Sequence, residues 1–380
     1  MRISAITLYR TRLPLVHGFE TSSHRKTHLD HILVRFTDQS GAVGWGEIAS
    51  ASNPFYSPET VDTAWLVARR YLVPAVLDRE WQTPAELASL WGAIRGHEFA
   101  KAGFDMAGWT LYSAARGEAL ASSLGGTRSH VDAGVSLGIE PTIDALLAEV
   151  GQQVDAGYRR VKLKIKPGWD VAPVRAARGA FPKLDLHVDA NGIYANTAET
   201  TAVMTALDAF RLTMIEQPYA PRDFVAHAAL ARAIETPVCL DESVEGLGDL
   251  GTMIALGAGS ILNIKVSRMG GLTVAKAAHD LAAENGIPVW CGGMHEFGIG
   301  RAANVALSSL PNFRYPSDVS GSDKYYARDI ISPQVTADQG SVAVPTVAGL
   351  GHEVLGEWII ENTIVQETFD SVAAPTSLLS

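Results

Sequence analysis

Lysines and carboxylates recur along the middle of this chain at near-constant steps. Lys164 stands in Arg160-Val-Lys-Leu-Lys-Ile-Lys166, Asp189 ends the apolar run from Leu184, Glu216 the run from Leu212, Asp241-Glu242 the run from Pro237, and Lys265 the run from Ile261. From Lys164 to Asp189, Glu216, Asp241 and Lys265 the steps are 25, 27, 25 and 24 residues, each about the length of a strand, a loop and a helix. Asp189, Glu216 and Asp241 offer hard oxygen ligands, which favours Mg²⁺, with Mn²⁺ as the alternative, the shell being completed by water and a substrate carboxylate. A dication and a second lysine nearby favour a neutral amine, so Lys164 or Lys265 can take a proton from carbon. The cation meanwhile steadies the oxygen charge that develops. The chemistry these residues suggest is proton abstraction next to a carboxylate.

Such groups meet only if the C-terminal ends of several parallel strands share one face, as in a (β/α) barrel. Strands are expected near 131–137, 160–166, 184–189, 212–217, 237–242, 260–266, 287–292 and 313–318. Helices between them include Thr142 to Ala156, Thr197 to Ala209, Phe224 to Ile234, Leu272 to Asn285 and Gly298 to Leu310. Before the barrel, residues 1–126 read as an α+β unit: a strand over 1–10, a hairpin around Asp38-Gln-Ser-Gly41, then helical stretches from Pro58, Pro84 and Phe99. Gly18 to Lys26 reads as a mobile polar loop over a site. The barrel is expected over 127–325, and 326–380 is expected to run back along the first unit.

Within this frame Lys162 should lie inside the barrel against substrate or carboxylates, and Lys166, before Pro167-Gly168, in solvent. Asn191 shares the parity of Asp189 and is expected to hold the base or the substrate, Glu242 to pair with Lys265, and His187 to be a hydrogen-bonded core residue. His295 and Glu296, just past the seventh strand, are candidates for the substrate pocket. Gly246 to Gly251 fits G-x-G-x-x-G and Gly298 to Ala303 its Ala-ended variant, but neither has the acidic residue a dinucleotide site needs about 20 residues on, at the end of a following strand. The second is still expected to present a helix N-terminus to an anionic substrate group.

A net charge of −10 without a basic stripe weighs against nucleic-acid binding. Cys239 and Cys291 suggest core thiols rather than a disulfide or zinc site. No run of 18 apolar residues and no signal-like N-terminus is present, so no membrane association and a cytoplasmic setting are expected.

Lys162-Leu-Lys164, Asp189-Ala-Asn191, Glu216-Gln-Pro218, Asp241-Glu-Ser243 and Asn263-Ile-Lys265 together resemble the enolase superfamily, in its muconate-lactonising-enzyme-like branch. The resemblance implies an α/β fold: a modified TIM barrel, (β/α)₇β, with an α+β capping domain to which the C-terminal segment returns. Within the branch, Cys291 to Ala302 and Ser317 to Asp323 look like the o-succinylbenzoate synthases and N-succinylamino acid racemases. Carried over, Asp189, Glu216 and Asp241 would bind Mg²⁺, and Lys164 and Lys265 would act on opposite faces of a small carboxylate substrate. Arg268 would match the arginine of racemase-competent relatives. The reaction would be dehydration, racemisation or both, and a homo-oligomer and a place in menaquinone synthesis are further implications. Glu20 stands where relatives often carry arginine, and His295 and Phe297 replace smaller or aliphatic residues. The alternatives are a dipeptide epimerase or a cycloisomerase of the same branch and, more remotely, a barrel without catalysis.

Overall fold

The computed structural model describes residues 1–20 and 25–370, with side chains for all of these except 17–20, 25 and 26. β1 (Ile3–Glu20), β2 (Arg25–Asp38) and β3 (Val43–Ile48) form an antiparallel sheet that buries Ile6, Leu8, Ile32, Val34 and Phe36. β1 is longer than its alternating start predicts, because Arg10 to Pro14 continue to pair with β2. Pairing is interrupted after Pro14, which has no N–H to give, and resumes at Phe19↔Lys26 and Glu20↔Arg25. The expected loop is therefore mostly hairpin. Its tip, Thr21 to His24, and the Glu20 side chain lie outside the described residues. The helix Glu98–Ala115 packs on β3 so closely that a Cβ on Gly46 would overlap the backbone of Gly103.

β4 (His130–Asp132) and β5 (Val135–Leu137) replace the single strand expected over 131–137. The chain breaks at Ala133-Gly134, where a Cβ on Gly134 would overlap the buried guanidinium of Arg160. Then follow β6 (Arg160–Lys164), β7 (Asp185–Asp189), β8 (Met214–Glu216), β9 (Val238–Leu240), β10 (Ile261–Ile264) and β11 (Val289–Cys291). Strands β5 to β11 form one parallel sheet in sequence order. One face of these strands packs Val161, Leu163, Leu186, Val188, Ile215 and Leu262 against the helices, whereas the other carries Lys162, Lys164, His187, Asp189 and Glu216 into the barrel. Thr142 caps the helix Ile143–Asp155 and Thr197 the helix Ala198–Asp208, each accepting from the backbone N–H three residues on. Two further helices, Val171–Ala180 and Leu247–Leu256, complete the alternation.

Residues 313–318 close the barrel as expected, but through isolated bridges rather than a regular strand. Arg314 N and Asp318 N donate to Val289 O and Cys291 O on one side. Ser317 N donates to Asp132 O and Ser317 O accepts from Gly134 N on the other. Pro316 cannot donate, which prevents a continuous ladder. The fold is thus a modified (β/α)₇β barrel with an α+β cap. β12 (Ile331–Ser332) pairs with β14 (Glu353–Val354), β13 (Ser341–Ala343) with β4, and β15 (Thr363–Asp370) runs antiparallel to β1 at the edge of the cap sheet.

Two buried carboxylates join cap to barrel. Glu47 of β3 accepts from His31 Nδ1 at 2.7 Å and from the backbone N–H groups of Phe297 and Gly300, at 2.7 and 2.8 Å. Asp105 accepts from the N–H and hydroxyl of Thr273, at the start of the helix Leu272–Glu284. Both cysteines are buried free thiols. Among the described residues no helix is long and apolar enough to cross a membrane.

Candidate active site

The register of the barrel brings the spaced residues together. Lys164 pairs with Asp189 across β6 and β7, and Asp189 with Glu216 across β7 and β8, so the final residues of three adjacent strands lie side by side. Asp241 and Lys265 each follow the last residue of their strand, β9 and β10. A cavity of about 400 Å³ opens above them, lined by Lys162, Lys164, Asn191, Glu242, Lys265, His295, Glu296 and Asp318, and on the cap side by Phe55 and Tyr56.

Lys164 Nζ donates to Asp189 Oδ2 at 2.5 Å and to Asn191 Oδ1 at 2.6 Å. Asn191 Nδ2 in turn donates to Glu242 Oε1 at 2.9 Å. Asn191 takes a left-handed backbone conformation, φ +46°, in the turn after β7, and its N–H donates to Asp189 Oδ1. It therefore makes the turn and holds the lysine at once.

Lys265 Nζ lies 2.8 Å from Asp241 Oδ2 and donates to the Tyr56 hydroxyl, also at 2.8 Å. The expected Glu242–Lys265 pair is not formed; Glu242 reaches Asn191 instead. Successive residues at the end of β9 diverge, so Asp241 and Glu242 serve different lysine neighbourhoods. Arg268 is buried, not a solvated loop residue. It donates to Asp241, to the Tyr56 hydroxyl and to the carbonyls of Val244 and Asn263.

Lys162 is 3% exposed and sits 3.0 Å from Asp318, 3.2 Å from Glu216 and 3.6 Å from Asp189, over the Trp290 ring. Lys166 is exposed, as its position before Pro167 predicts. His187 is fully buried with its ring edge-on to Trp290. Its Nε2 stands 2.9 Å from Glu216 Oε2, yet neither ring nitrogen makes a hydrogen bond of good geometry, which departs from the expected bonded histidine. Burial, with Arg160 and Lys162 close by, holds its pKa well below the usual value, so the ring is neutral.

Electrostatics follow from this pairing. Burial works against the Lys265 ammonium, but Asp241 overrides it and raises the pKa well above the ordinary lysine range. Burial likewise opposes ionisation of Asp241, and Arg268 and Lys265 reverse it, keeping the carboxylate charged. Glu242 is pushed up to about 7 by burial and by the Asp241 charge. Asp241 thus favours Lys265 as an ammonium, the form able to steady a developing negative charge.

Among the described residues no three His, Cys, Asp or Glu side chains form a ready-made metal cage, and lysine and arginine side chains pair with Asp189, Glu216 and Asp241. The donor set itself fits a hard dication: Asp189, Glu216 and Asp241 are at most 1% exposed, and beside them Glu242 Oε2 is buried without a hydrogen bond. Buried carboxylates in this number need cationic company.

His295, φ +60°, lines the cavity with its ring 5.1 Å from that of Tyr325. Glu296 Oε1 accepts from Met294 N and Asn304 Nδ2, so this carboxylate braces its own loop. The helix Gly298–Ser308 does not offer its N-terminus to a substrate, because Glu47 and Asp329 already accept from its first N–H groups. In the first turn of Leu247–Leu256, Asp249 accepts from Glu245 N, and no residue of that helix lines the cavity.

Four contributors escaped the sequence reading. Tyr56 comes from an aperiodic loop. Asn263, noted only within a motif, donates Nδ2 to Glu216 Oε1 at 2.7 Å. Asp318 accepts from Ser136 and Arg160 and contacts Lys162; its signal was its place 53 residues after Lys265, two further barrel units. Arg301 lies in the helix after β11, with nothing in its spacing to mark it.

Residues 145–358 match the family described as Enolase C-terminal domain-like. The chain is 44% identical to the o-succinylbenzoate synthase of Geobacillus kaustophilus, over 93% of this chain and 94% of that one. It is 45% identical to the N-succinylamino acid racemase of an Amycolatopsis species, over 96% and 98%. A crystal structure of an enolase-superfamily member from Listeria innocua superposes with a TM-score of 0.94 at 36% identity, covering 97% of this chain and 99% of the other.

Proposed function

We propose, for a chain that belongs to the enolase superfamily, that it removes the proton α to a carboxylate and acts as an o-succinylbenzoate synthase, an N-succinylamino acid racemase, or both. The observation that carries this reading is the placement of two lysines across one cavity. Lys164 ends the second barrel strand and Lys265 follows the sixth, and strands four apart in an eight-membered ring face each other. Lys164 takes the α-proton on one face of the substrate. Lys265 stands on the other, where it returns a proton in racemisation or, as an ammonium, steadies the developing negative charge in dehydration.

Enzymes of this superfamily depend on a divalent metal, and Asp189, Glu216 and Asp241 would hold it here, as Mg²⁺ or Mn²⁺, supplying positive charge for the substrate carboxylate. Asn191 and Glu242 orient Lys164, and Tyr56 and Arg268 orient the Lys265–Asp241 pair. Lys162 balances Glu216 and Asp318 at the cavity floor. His295 contributes to the wall. Glu296, whose carboxylate is committed to its own loop, is a poor partner for a dipeptide ammonium, which weighs against the epimerase alternative. We place the enzyme in the cytoplasm as a homo-oligomer, for which light scattering of the purified chain is the test.

The reaction is tested by proton NMR in D₂O with Mg²⁺ and EDTA controls, using the o-succinylbenzoate precursor and N-succinyl amino acids. Metal-dependent dehydration establishes the synthase, and α-deuterium incorporation with loss of chirality the racemase. Inertness towards both overturns the substrate assignment.

A further inference from the structure

Residues 51–60 form a loop of the cap whose ends are drawn together by the Ala51↔Thr60 bridge and by Val61 N, which donates to Ala51 O at 3.0 Å. Tyr56, which meets Lys265, lies within it. Ser52 to Phe55 are exposed, and the single buried side chain of the loop is an acid, Glu59, 6% exposed. One of its oxygens accepts from Phe99 N at 2.9 Å and the other from Ala100 N at 2.8 Å. Ser57 Oγ accepts from Glu59 N at 3.0 Å, so the stretch between Tyr56 and Glu59 is itself braced.

Those two N–H groups open the helix Glu98–Ala115, whose own N-cap position is held by His97, left-handed at φ +59° and without a side-chain cap. A local Ser, Thr or Asp would satisfy them without burying an acid brought from 40 residues upstream. What the distant cap adds is a joint between two parts of the site. The same helix end rests on the turn after Lys265: a Cβ on Gly270 would stand 2.6 Å from a Glu98 carboxylate oxygen, and one on Gly271 2.4 Å from Asp105. That turn carries Arg268, which donates to the Tyr56 hydroxyl at 3.1 Å. Lys265 and Arg268, the two groups that reach this hydroxyl, thus belong to a part of the barrel packed against the helix end, and Glu59 pins the Tyr56 loop to that same end.

We propose that Glu59 is a positioning residue for one face of the substrate: by pinning its loop to the helix end it places Tyr56, and through Tyr56 it places Lys265. This rests on the reaction proposed above, in which the two lysines serve opposite faces. Loss of a Glu59 hydrogen bond leaves a helix N–H without its partner and releases the loop on which Tyr56 stands. Lys164, whose partners all lie in the barrel, keeps its place.

The test reads α-deuterium exchange of the two N-succinyl-phenylalanine enantiomers separately, with the full chain and Mg²⁺. The pH is set about one unit above the value of about 7 to which burial pushes the Glu59 carboxyl. Glu59→Gln keeps the shape but offers one acceptor oxygen instead of two. It should slow exchange on the Lys265 face by about two- to tenfold, and on the Lys164 face by less. In a Tyr56→Phe background the same change should add little, because the route through the hydroxyl is already cut. Glu59→Asp, one methylene shorter, should act in the same sense, and it decides should Glu59→Gln not fold. The placement of Tyr56 is read without chemistry from the ¹⁹F signal of the fluorotyrosine-labelled chain, assigned with Tyr56→Phe; either Glu59 variant should shift it. Undiminished exchange on the Lys265 face, equal slowing of both faces, full additivity with Tyr56→Phe or an unmoved Tyr56 signal overturns the positioning role. A wild type that exchanges neither enantiomer removes the proposed reaction, and the ¹⁹F signal then decides whether Glu59 places Tyr56.

Discussion

The two lysines that face each other across the barrel are held in different ways. Around Lys164 every partner comes from the barrel: Asp189, then Asn191, then Glu242. Around Lys265 the barrel supplies Asp241 and the cap supplies Tyr56, whose hydroxyl also receives Arg268. The Lys164 side chain is 27% exposed and that of Lys265 8%, so the first is reached directly from the cavity while the second is screened by a residue of another layer. One lysine is thus placed by strand register alone, whereas the other also depends on how the cap sits. The difference suggests that changes in the cap act on one face of the substrate.

The largest effects should come from the lysines themselves. Lys164→Ala and Lys265→Ala should each cost about 10²–10⁴-fold in exchange of the α-proton on the corresponding face, read from the two N-succinyl amino acid enantiomers separately in D₂O. Undiminished exchange in either variant takes that lysine out of the reaction. Asn191→Leu should come next. It leaves Lys164 with Asp189 alone and should slow exchange by about tenfold on the Lys164 face only; equal slowing of both enantiomers would break the comparison. Tyr56→Phe removes an acceptor shared by Lys265 and Arg268 and should slow the opposite enantiomer, by about two- to tenfold. An effect on the Lys164 face instead would mean that the cap does not discriminate.

The smallest effect on chemistry should come from Asp105→Asn, at the tether where the cap meets the helix that follows Lys265 and Arg268. Burial pushes the Asp105 carboxyl up to about 7, against the hydrogen bonds from Thr273. The folded chain then keeps a proton that the unfolded chain loses near the ordinary value of 3.8. Stability from this group is present below that value and is lost as pH rises towards 7. Denaturant titrations between pH 4 and 8 should show a shallower decline for Asp105→Asn than for the wild type. Identical slopes would mean that Asp105 is ionised throughout.

Much of this was legible without coordinates. The strand-end residues were visible because each closes a short apolar run, and a step of about 25 residues matches one barrel unit. Helix starts at Thr142 and Thr197 were visible because a capping hydroxyl acts on the backbone three residues away. Lys166 was assigned to solvent from the Pro167-Gly168 that follows it. In each case the cause lies within a few residues of its effect.

What required the tertiary structure were the partners of buried charges. The chain places Asp241 and Glu242 next to each other, but only the barrel sends one to Lys265 and the other to Asn191. Glu47 fills the helix end at Phe297 from 250 residues away, and Tyr56 reaches Lys265 from a loop without periodicity. Local sequence determines which backbone groups pair with near neighbours. A buried charge must instead be answered by whatever the completed fold brings within about 4 Å, because desolvation leaves it no other source of stabilisation.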